Sequence, residues 1–493
     1  MKTIQILCIN DFHAELRETE STPGCSKFTA FVQNYLVENP KTVVVFGGDN
    51  YKGDPLSEYS DGRPVTALMK RLGAEVSVVG NHEFDFPMDT LLRWETEGNY
   101  QFLAANVQNN KTQEIPFFAR PYKIVEKSGV KIAFIGLSTM EDLNTSTHPK
   151  DIRDLQITDG VTAARKYVDT LNNKSSAHDR PDAIIAVTHF GLQYTTGGDV
   201  IGEEMRKLCE SGVAIDGAFA AHWHQFMATS INGIPVAQGG SRGQGFAVLT
   251  LTFTDDNKLV SAEPSFVRID GEIDQMIPDE EMEQVYQESY QEAMKELGEI
   301  IGYAPVDLVH RDTVTNEPFY EGSVLSQIVL QAMMNYTGCK LALFYSGWLG
   351  DGLRQGAISK YDLCRVIRFN GGIVKLKITG EDLIKNIAIG IRNLHSERLS
   401  PLAVAGIRLR IAPGKPQGQR LVYAELENGR AIVPDAVYEI AIDSSMAENA
   451  RGFDFSRAIE RIYPEASIRA CMEHEIRKLK IIDIPKPTNV AII

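Results

Sequence analysis

A rhythm of short apolar runs dominates the first half of this chain. They cover residues 3–9, 42–46, 76–79, 131–137, 182–188, 217–220, 234–237 and 247–253. Val, Ile and Ala fill them almost without interruption, as in strands covered on both faces. Between several of them lie longer periodic stretches, at 27–38, 65–72 and 162–171. Strands alternating with helices predict an α/β domain with layered sheets. One core rarely grows past about 250–300 residues, so a chain of 493 predicts two domains.

Five runs end in residues that can carry chemistry. They lead into Asn10-Asp11-Phe12-His13, Gly47-Gly48-Asp49-Asn50, Gly80-Asn81-His82-Glu83-Phe84-Asp85, Thr188-His189-Phe190-Gly191 and His222-Trp223-His224. Each has an ordinary explanation when taken alone: a helix cap, a turn, a structural imidazole. In extended backbone, residues two apart point to one side, so Asp11 with His13, and His222 with His224, are expected to face one way. Ligands in open α/β sheets gather beyond the carboxyl ends of the strands, and all five motifs stand there. The set of Asp11, His13, Asp49, Asn81, His189, His222 and His224 suits borderline divalent metals. One zinc takes about four ligands, so this many candidates imply two ions sharing a bridging carboxylate.

The pattern changes around Pro278. Residues 279–301 are rich in Glu and Gln with no Gly before Gly298, and they predict a long, mostly solvated helix joining two domains. Residues 323–336 predict a helix with Ser323 as N-cap and Gly338 as its stop. Strands are expected at 340–345 and 438–442.

Composition narrows the function. Hydrophobic residues at 43% and charged residues at 23% fit a globular protein. A net charge of −15 argues against a nucleic-acid polymer as partner, because phosphate backbones are held by basic patches. The six cysteines are scattered, with no C-x-x-C pair, and suit a reducing compartment. No leader-like segment precedes the first run and no apolar stretch is long enough for a membrane span. The expectation is therefore a cytoplasmic protein with no membrane partner.

The series N-D-x-H, G-G-D-N, G-N-H-E-F-D, T-H-F-G and H-x-H resembles the calcineurin-like metallophosphoesterase superfamily, and residues 61–86 resemble its 5′-nucleotidase family. The resemblance implies an N-terminal four-layer α/β/β/α metallophosphoesterase sandwich at 1–275, a linking helix at 276–302 and a C-terminal α+β 5′-nucleotidase-type substrate-binding domain at 303–493. It implies that Asp11, His13, Asp49 and His224 hold one ion, and Asp49, Asn81, His189 and His222 the other. The cofactors would be two divalent ions, Mn, Zn, Fe or Co. Such a pair lowers the pKa of a shared water and clamps the phosphoryl group. His82 would stabilise that group or protonate the leaving oxygen, with Asp85 orienting its ring. Ala221 stands where the family has Gly, which implies a modest backbone adjustment.

The second half departs further from the family pattern. Gly350 falls where an Arg belongs in the turn Tyr345-Ser346-Gly347-Trp348-Leu349-Gly350, with Arg354 four residues on. Arg368 replaces a Pro before Phe369, which keeps the aromatic expected against a base. Near 444–453 an Asp is missing and Phe453 remains, while Arg451 is a cation that could contact a different phosphoester. Trp348, Arg354, Arg368 and Phe369 are the substrate-binding candidates. The implied activity is hydrolysis of small phosphomonoesters, nucleoside 5′-monophosphates first. A phosphodiesterase for cyclic nucleotides or another small ester is the alternative, and an inactive metal-binding scaffold is the alternative of another class.

Overall fold

The computed structural model describes residues 1–19, 21–141, 154–173, 180–195, 197–269, 271, 275–312, 318–368, 370–392, 399, 401–448 and 450–493. The chain forms two units, Met1–Glu292 and Ala293–Ile493.

All eight apolar runs are strands. In the first unit they belong to two six-stranded sheets. One sheet runs Leu259–Arg268, Gly245–Phe253, Lys2–Ile9, Thr42–Phe46, Ala74–Val78 and Gln101–Leu103. Its last four strands are parallel and the first two antiparallel. The other runs Phe226–Ile231, Ile234–Gly239, Gly217–Phe219, Ala183–Thr188, Val130–Leu137 and Tyr122–Lys127, parallel at its centre and antiparallel at both edges.

Strand alternation settles how the layers stack. In Val130–Leu137, Ile132 and Phe134 join a core with Ile4, Ile6, Val43 and Val45 of the other sheet. The intervening Ala133, Ile135 and Leu137 instead pack with Ala164, Val168, Leu171, Met205 and Leu208, from the helices Gly160–Asn172 and Glu203–Glu210. Side chains two apart share a face, so the sheets meet face to face and helices cover the outside. The connections between parallel strands of the first sheet contain the helices Gly24–Glu38, Arg63–Arg71 and Met88–Gly98, which bury Phe28, Val32, Leu68 and Leu91. This is the four-layer α/β/β/α order.

The long polar helix is shorter and better anchored than its composition predicts. It spans Glu280–Leu297 and ends before Gly298, while Ile300–Ala304 is a strand paired with Gly356–Ser359. Its N-terminal half is tied to the first unit: Arg71 pairs with Asp279 at 2.9 Å, Ser26 donates to Glu283 at 2.7 Å and Arg63 pairs with Glu288 at 2.9 Å.

The second unit has a five-stranded sheet, Leu402–Ala405, Leu341–Tyr345, Val437–Asp443, Ile373–Thr379 and Glu460–Ile462, and a smaller three-stranded one. Two apolar cores surround them. The helix Val324–Thr337 is capped by Ser323, which exchanges bonds with Ser326, and is stopped by Gly338 at φ 71°. Among the described residues no helix is long and apolar enough to cross a membrane, and all six cysteines are buried thiols.

Candidate metal centre

The parallel registers bring the strand ends level: Ile9 lies beside Phe46, Phe46 beside Ser77, and Val187 beside Phe219. The five motifs leave those ends as loops, and the loops are not extended. Asp11, His13, Asp49, His222 and His224 all have positive φ, between 49° and 67°. Such a conformation costs a non-glycine residue about 1–3 kcal/mol and persists only where its surroundings enforce it. Here they do. Asp11 N donates to Gly48 O at 3.0 Å, His13 N to Asp49 O at 3.0 Å and Ala14 N to Asn50 O at 2.8 Å.

Asp11 and His13 gather in one cluster as expected, but the left-handed turns at His222 and His224 correct the expectation that those two face one way. His224 gathers with Asp11 and His13, whereas His222 gathers with Asp49 and His189. The tripeptide therefore splits between two clusters. Ala221 keeps a negative φ and donates to Phe190 O at 3.0 Å, so its methyl group adds no backbone strain.

Donor atoms converge inside each cluster. His13 Nε2 lies 3.0 Å from His224 Nε2, and His224 Nε2 lies 3.5 Å from Asp11 Oδ1. His189 Nε2 lies 3.1 Å from both Asp49 Oδ2 and Asn81 Oδ1. Ligands about 2.0–2.2 Å from one ion stand roughly 2.9–3.5 Å from each other, which is the spacing seen here. His13 Nδ1 donates to Lys52 O at 3.0 Å and His189 Nδ1 to Gly47 O at 2.7 Å, which leaves Nε2 of each ring to the cluster. Asp11, Asp49 and His189 are essentially closed to solvent. The donor set and its spacing fit divalent ions.

Charge balance points the same way. Burial opposes ionisation of Asp49, yet His189, His82 and His13 hold its carboxyl well below the usual range. Burial and the neighbouring His224 push His13 down to about 3. For His189 the burial cost is outweighed by Asp49 and Asp11, and its pKa rises to about 10. A buried group of carboxylates drawing protons onto imidazole is a place built for added positive charge.

His82 and Asp85 stand beside the clusters. His82 Nδ1 is 2.8 Å from Asp85 Oδ2, and His82 N donates to Asp49 Oδ1 at 2.8 Å. Burial disfavours the charged ring, but Asp49 and Asp85 lift its pKa to about 9.

Three residues received no role from the sequence. Glu83 is fully buried and accepts the backbone N–H groups of Gly80, Asp49 and Asn50 at 2.7, 2.8 and 2.9 Å, fastening two loops together. Asn10 donates to Asp11 Oδ2 at 2.6 Å and Gly240 O at 2.7 Å, and accepts Gly239 N at 3.0 Å. Lys52 is buried with its ammonium on Glu58 at 2.7 Å. The first two lie inside the quoted motifs, and an uncommitted polar residue beside a ligand was their available signal.

Among the described residues, the substrate candidates of the second unit have separate partners. Arg354 is exposed and pairs with Asp307 at 3.2 Å. Arg368 reaches Asp351 at 2.6 Å, and Arg365 pairs with the same carboxylate. A β-carbon at Gly350 would overlap the Arg365 carbonyl oxygen and lie 2.7 Å from Arg368 Nε, so the backbone at Arg365 leaves no room for a side chain at position 350. Trp348 packs edge-on against Tyr345, whose ring also carries the Arg451 guanidinium at 4.3 Å. Phe369 lies outside the described residues.

A family model described as calcineurin-like phosphoesterase matches residues 4–226, and one described as 5′-nucleotidase, C-terminal domain, matches residues 300–457. The chain belongs to the 5′-nucleotidase family of calcineurin-like phosphoesterases. Members of this family are metal-dependent phosphoric ester hydrolases that use divalent ions. The chain is 26% identical over 475 residues to endonuclease YhcR of Bacillus subtilis, covering 90% of this chain but only 37% of that longer protein. It is 24% identical over 450 residues to a 5′-nucleotidase of Vibrio cholerae, covering 83% of this chain and 77% of the relative. The crystal structure of a 5′-nucleotidase precursor from Thermus thermophilus superimposes with TM-score 0.78 at 19% identity, covering 100% of this chain and 99% of that one. At that identity the likeness establishes the fold.

Proposed function

We propose that this chain hydrolyses small phosphomonoesters, nucleoside 5′-monophosphates first among them, with two divalent ions. The observation that carries the reading is the pair of adjoining carboxylate–imidazole clusters, Asp11–His13–His224 and Asp49–His189–His222. Asp11, His13 and His224 would hold one ion, Asn81, His189 and His222 the other, with Asp49 shared. When bound, such ions acidify water and neutralise phosphoryl oxygens. His82, kept cationic by Asp49 and Asp85, is suited to donate to the phosphoryl or leaving oxygen, and Asp85 fixes its ring. The orphan-free packing of Asn10 and Glu83 holds the donors in place without rearrangement. The six buried thiols support the cytoplasm as the proposed compartment.

The first relative bears the name endonuclease and aligns with 90% of this chain, so phosphodiester cleavage is the second reading. Both are tested by offering an aryl phosphate, an aryl phosphodiester, a cyclic nucleotide and a panel of nucleoside monophosphates, with Mn²⁺ or with chelator, to wild type and His82→Ala. Chelator-sensitive release of phosphate from a nucleoside monophosphate, lost in the variant, supports the nucleotidase. Cleavage of diesters alone supports the second reading. Absence of cleavage of every substrate overturns both and leaves the scaffold, whereas chelator-resistant cleavage overturns the two-ion mechanism.

A further inference from the structure

Glu141 lies just beyond the strand Val130–Leu137, on a segment with no recognised motif. That segment is firmly placed. Ser138 Oγ donates to Val79 O at 2.6 Å, Met140 N to Glu204 at 2.9 Å and Glu141 N to Thr139 Oγ1 at 3.0 Å. One oxygen of Glu141, Oε2, stands 3.2 Å from His222 Nε2 and 3.2 Å from Trp223 Nε1. The indole N–H can only donate. The indole is itself fixed, because it covers Gly191 so closely that a β-carbon there would overlap the ring.

We infer that Glu141 is a positioning residue for His222, selecting its tautomer and strengthening it as a ligand in the Asp49–His189–His222 cluster. The inference rests on the two-ion reading above. An ionised carboxylate beside Nε2 favours the tautomer with its proton on Nε2, which places the lone pair on Nδ1. Ligating imidazoles ordinarily donate their other N–H to a carbonyl or carboxylate, and the carboxylate makes the ring the better donor. His13 and His189 use neutral backbone carbonyls for this purpose, Lys52 O and Gly47 O. His222 alone among these three faces a charged partner. Trp223, the middle residue of the tripeptide, then has a role of its own: it holds the carboxylate from the second side.

The test is calorimetric titration of Mn²⁺ into chelator-stripped full-length protein. Wild type is expected to take up two ions. Glu141→Ala should weaken one of the two binding steps by about 10–100-fold and leave the other unchanged. Glu141→Gln, which keeps an acceptor but no charge, should weaken the same step less. The side chain is 45% exposed, so neither variant threatens folding, and Trp223 fluorescence should change in both. Two wild-type binding steps in Glu141→Ala overturn the inference alone, as does equal weakening of both steps. Uptake of fewer than two ions by wild type overturns the two-ion reading and this inference together.

Discussion

Asn10 offers the sharpest trial of how the centre is held. It is buried, at 2% exposure, and its amide does three jobs: it donates to Asp11 Oδ2 at 2.6 Å and Gly240 O at 2.7 Å, and it accepts Gly239 N at 3.0 Å. Asn10→Ala orphans the Gly239 N–H and the Gly240 carbonyl. At about 1–3 kcal/mol for each buried group left unpaired, the first unit should lose roughly 4 kcal/mol, lowering its Tm by about 6–7 °C. Asn10→Asp keeps the shape and the acceptor but turns both donor contacts into repulsions against Asp11 and a carbonyl. An unpaired buried charge costs about 3–5 kcal/mol, so the isosteric variant should be at least as unstable as the alanine. The sign with pH follows. The new carboxyl would have a folded pKa raised above its unfolded value, so its penalty is full at high pH and fades as acidification restores a donor. The assay is thermal unfolding with chelator at pH 8 and pH 6, on a Trp348→Phe background in which Trp94 and Trp223 report the first unit alone. An Asn10→Asp protein as stable as wild type at pH 8 would refute the hydrogen-bond reasoning.

Further outcomes follow from other groups. Burial raises Asp443 from 3.8 to about 6, against the opposing bond from Ser445 N. The folded state therefore binds the extra proton between those values, and stability is full below the lower one and declines as pH rises through the higher, by about 3 kcal/mol; urea melts of the full chain should show this decline in wild type and not in Asp443→Asn. Asp85→Asn should lower kcat by roughly 10–100-fold with metal content unchanged, measured by elemental analysis beside turnover; loss of metal instead would make Asp85 part of the ion site. Mn²⁺ at 100 times its Kd should stabilise the first unit by about 2.7 kcal/mol per ion, and a melt indifferent to Mn²⁺ and chelator would count against the clusters as ion sites.

Much of this molecule is legible in the sequence because two signals are local. Apolar runs name the strands, and the residue after a run stands at a strand end whatever the topology. Ser323 and Gly338 likewise bound their helix by cap chemistry alone. What is not legible depends on contacts across the chain. The left-handed turns at Asp11, His13 and Asp49 are enforced by the paired loops, and the two-apart pattern sends His222 and His224 the same way because it does not foresee the left-handed backbone of those two residues. Glu and Gln dominate the composition of residues 279–301 and carry the predicted helix through to Ile301. Gly298 stops it, and Ile300–Ala304 finds a strand partner at Gly356–Ser359. Glu141 carries no pattern at all, since its meaning comes from a histidine 81 positions later.

The pairing of Lys2–Ile9 with Gly245–Phe253 has a consequence for synthesis. The strand Lys2–Ile9 waits for one of its two neighbours until residue 253 has been made. At about 5–20 residues per second, that flank stays open for on the order of 10–50 s. The donors proposed for the ions are spread from Asp11 to His224, so the full set exists only once His224 has been made. Until residue 253 follows, the unit carries an open strand edge, the feature a chaperone or an aggregate would meet first.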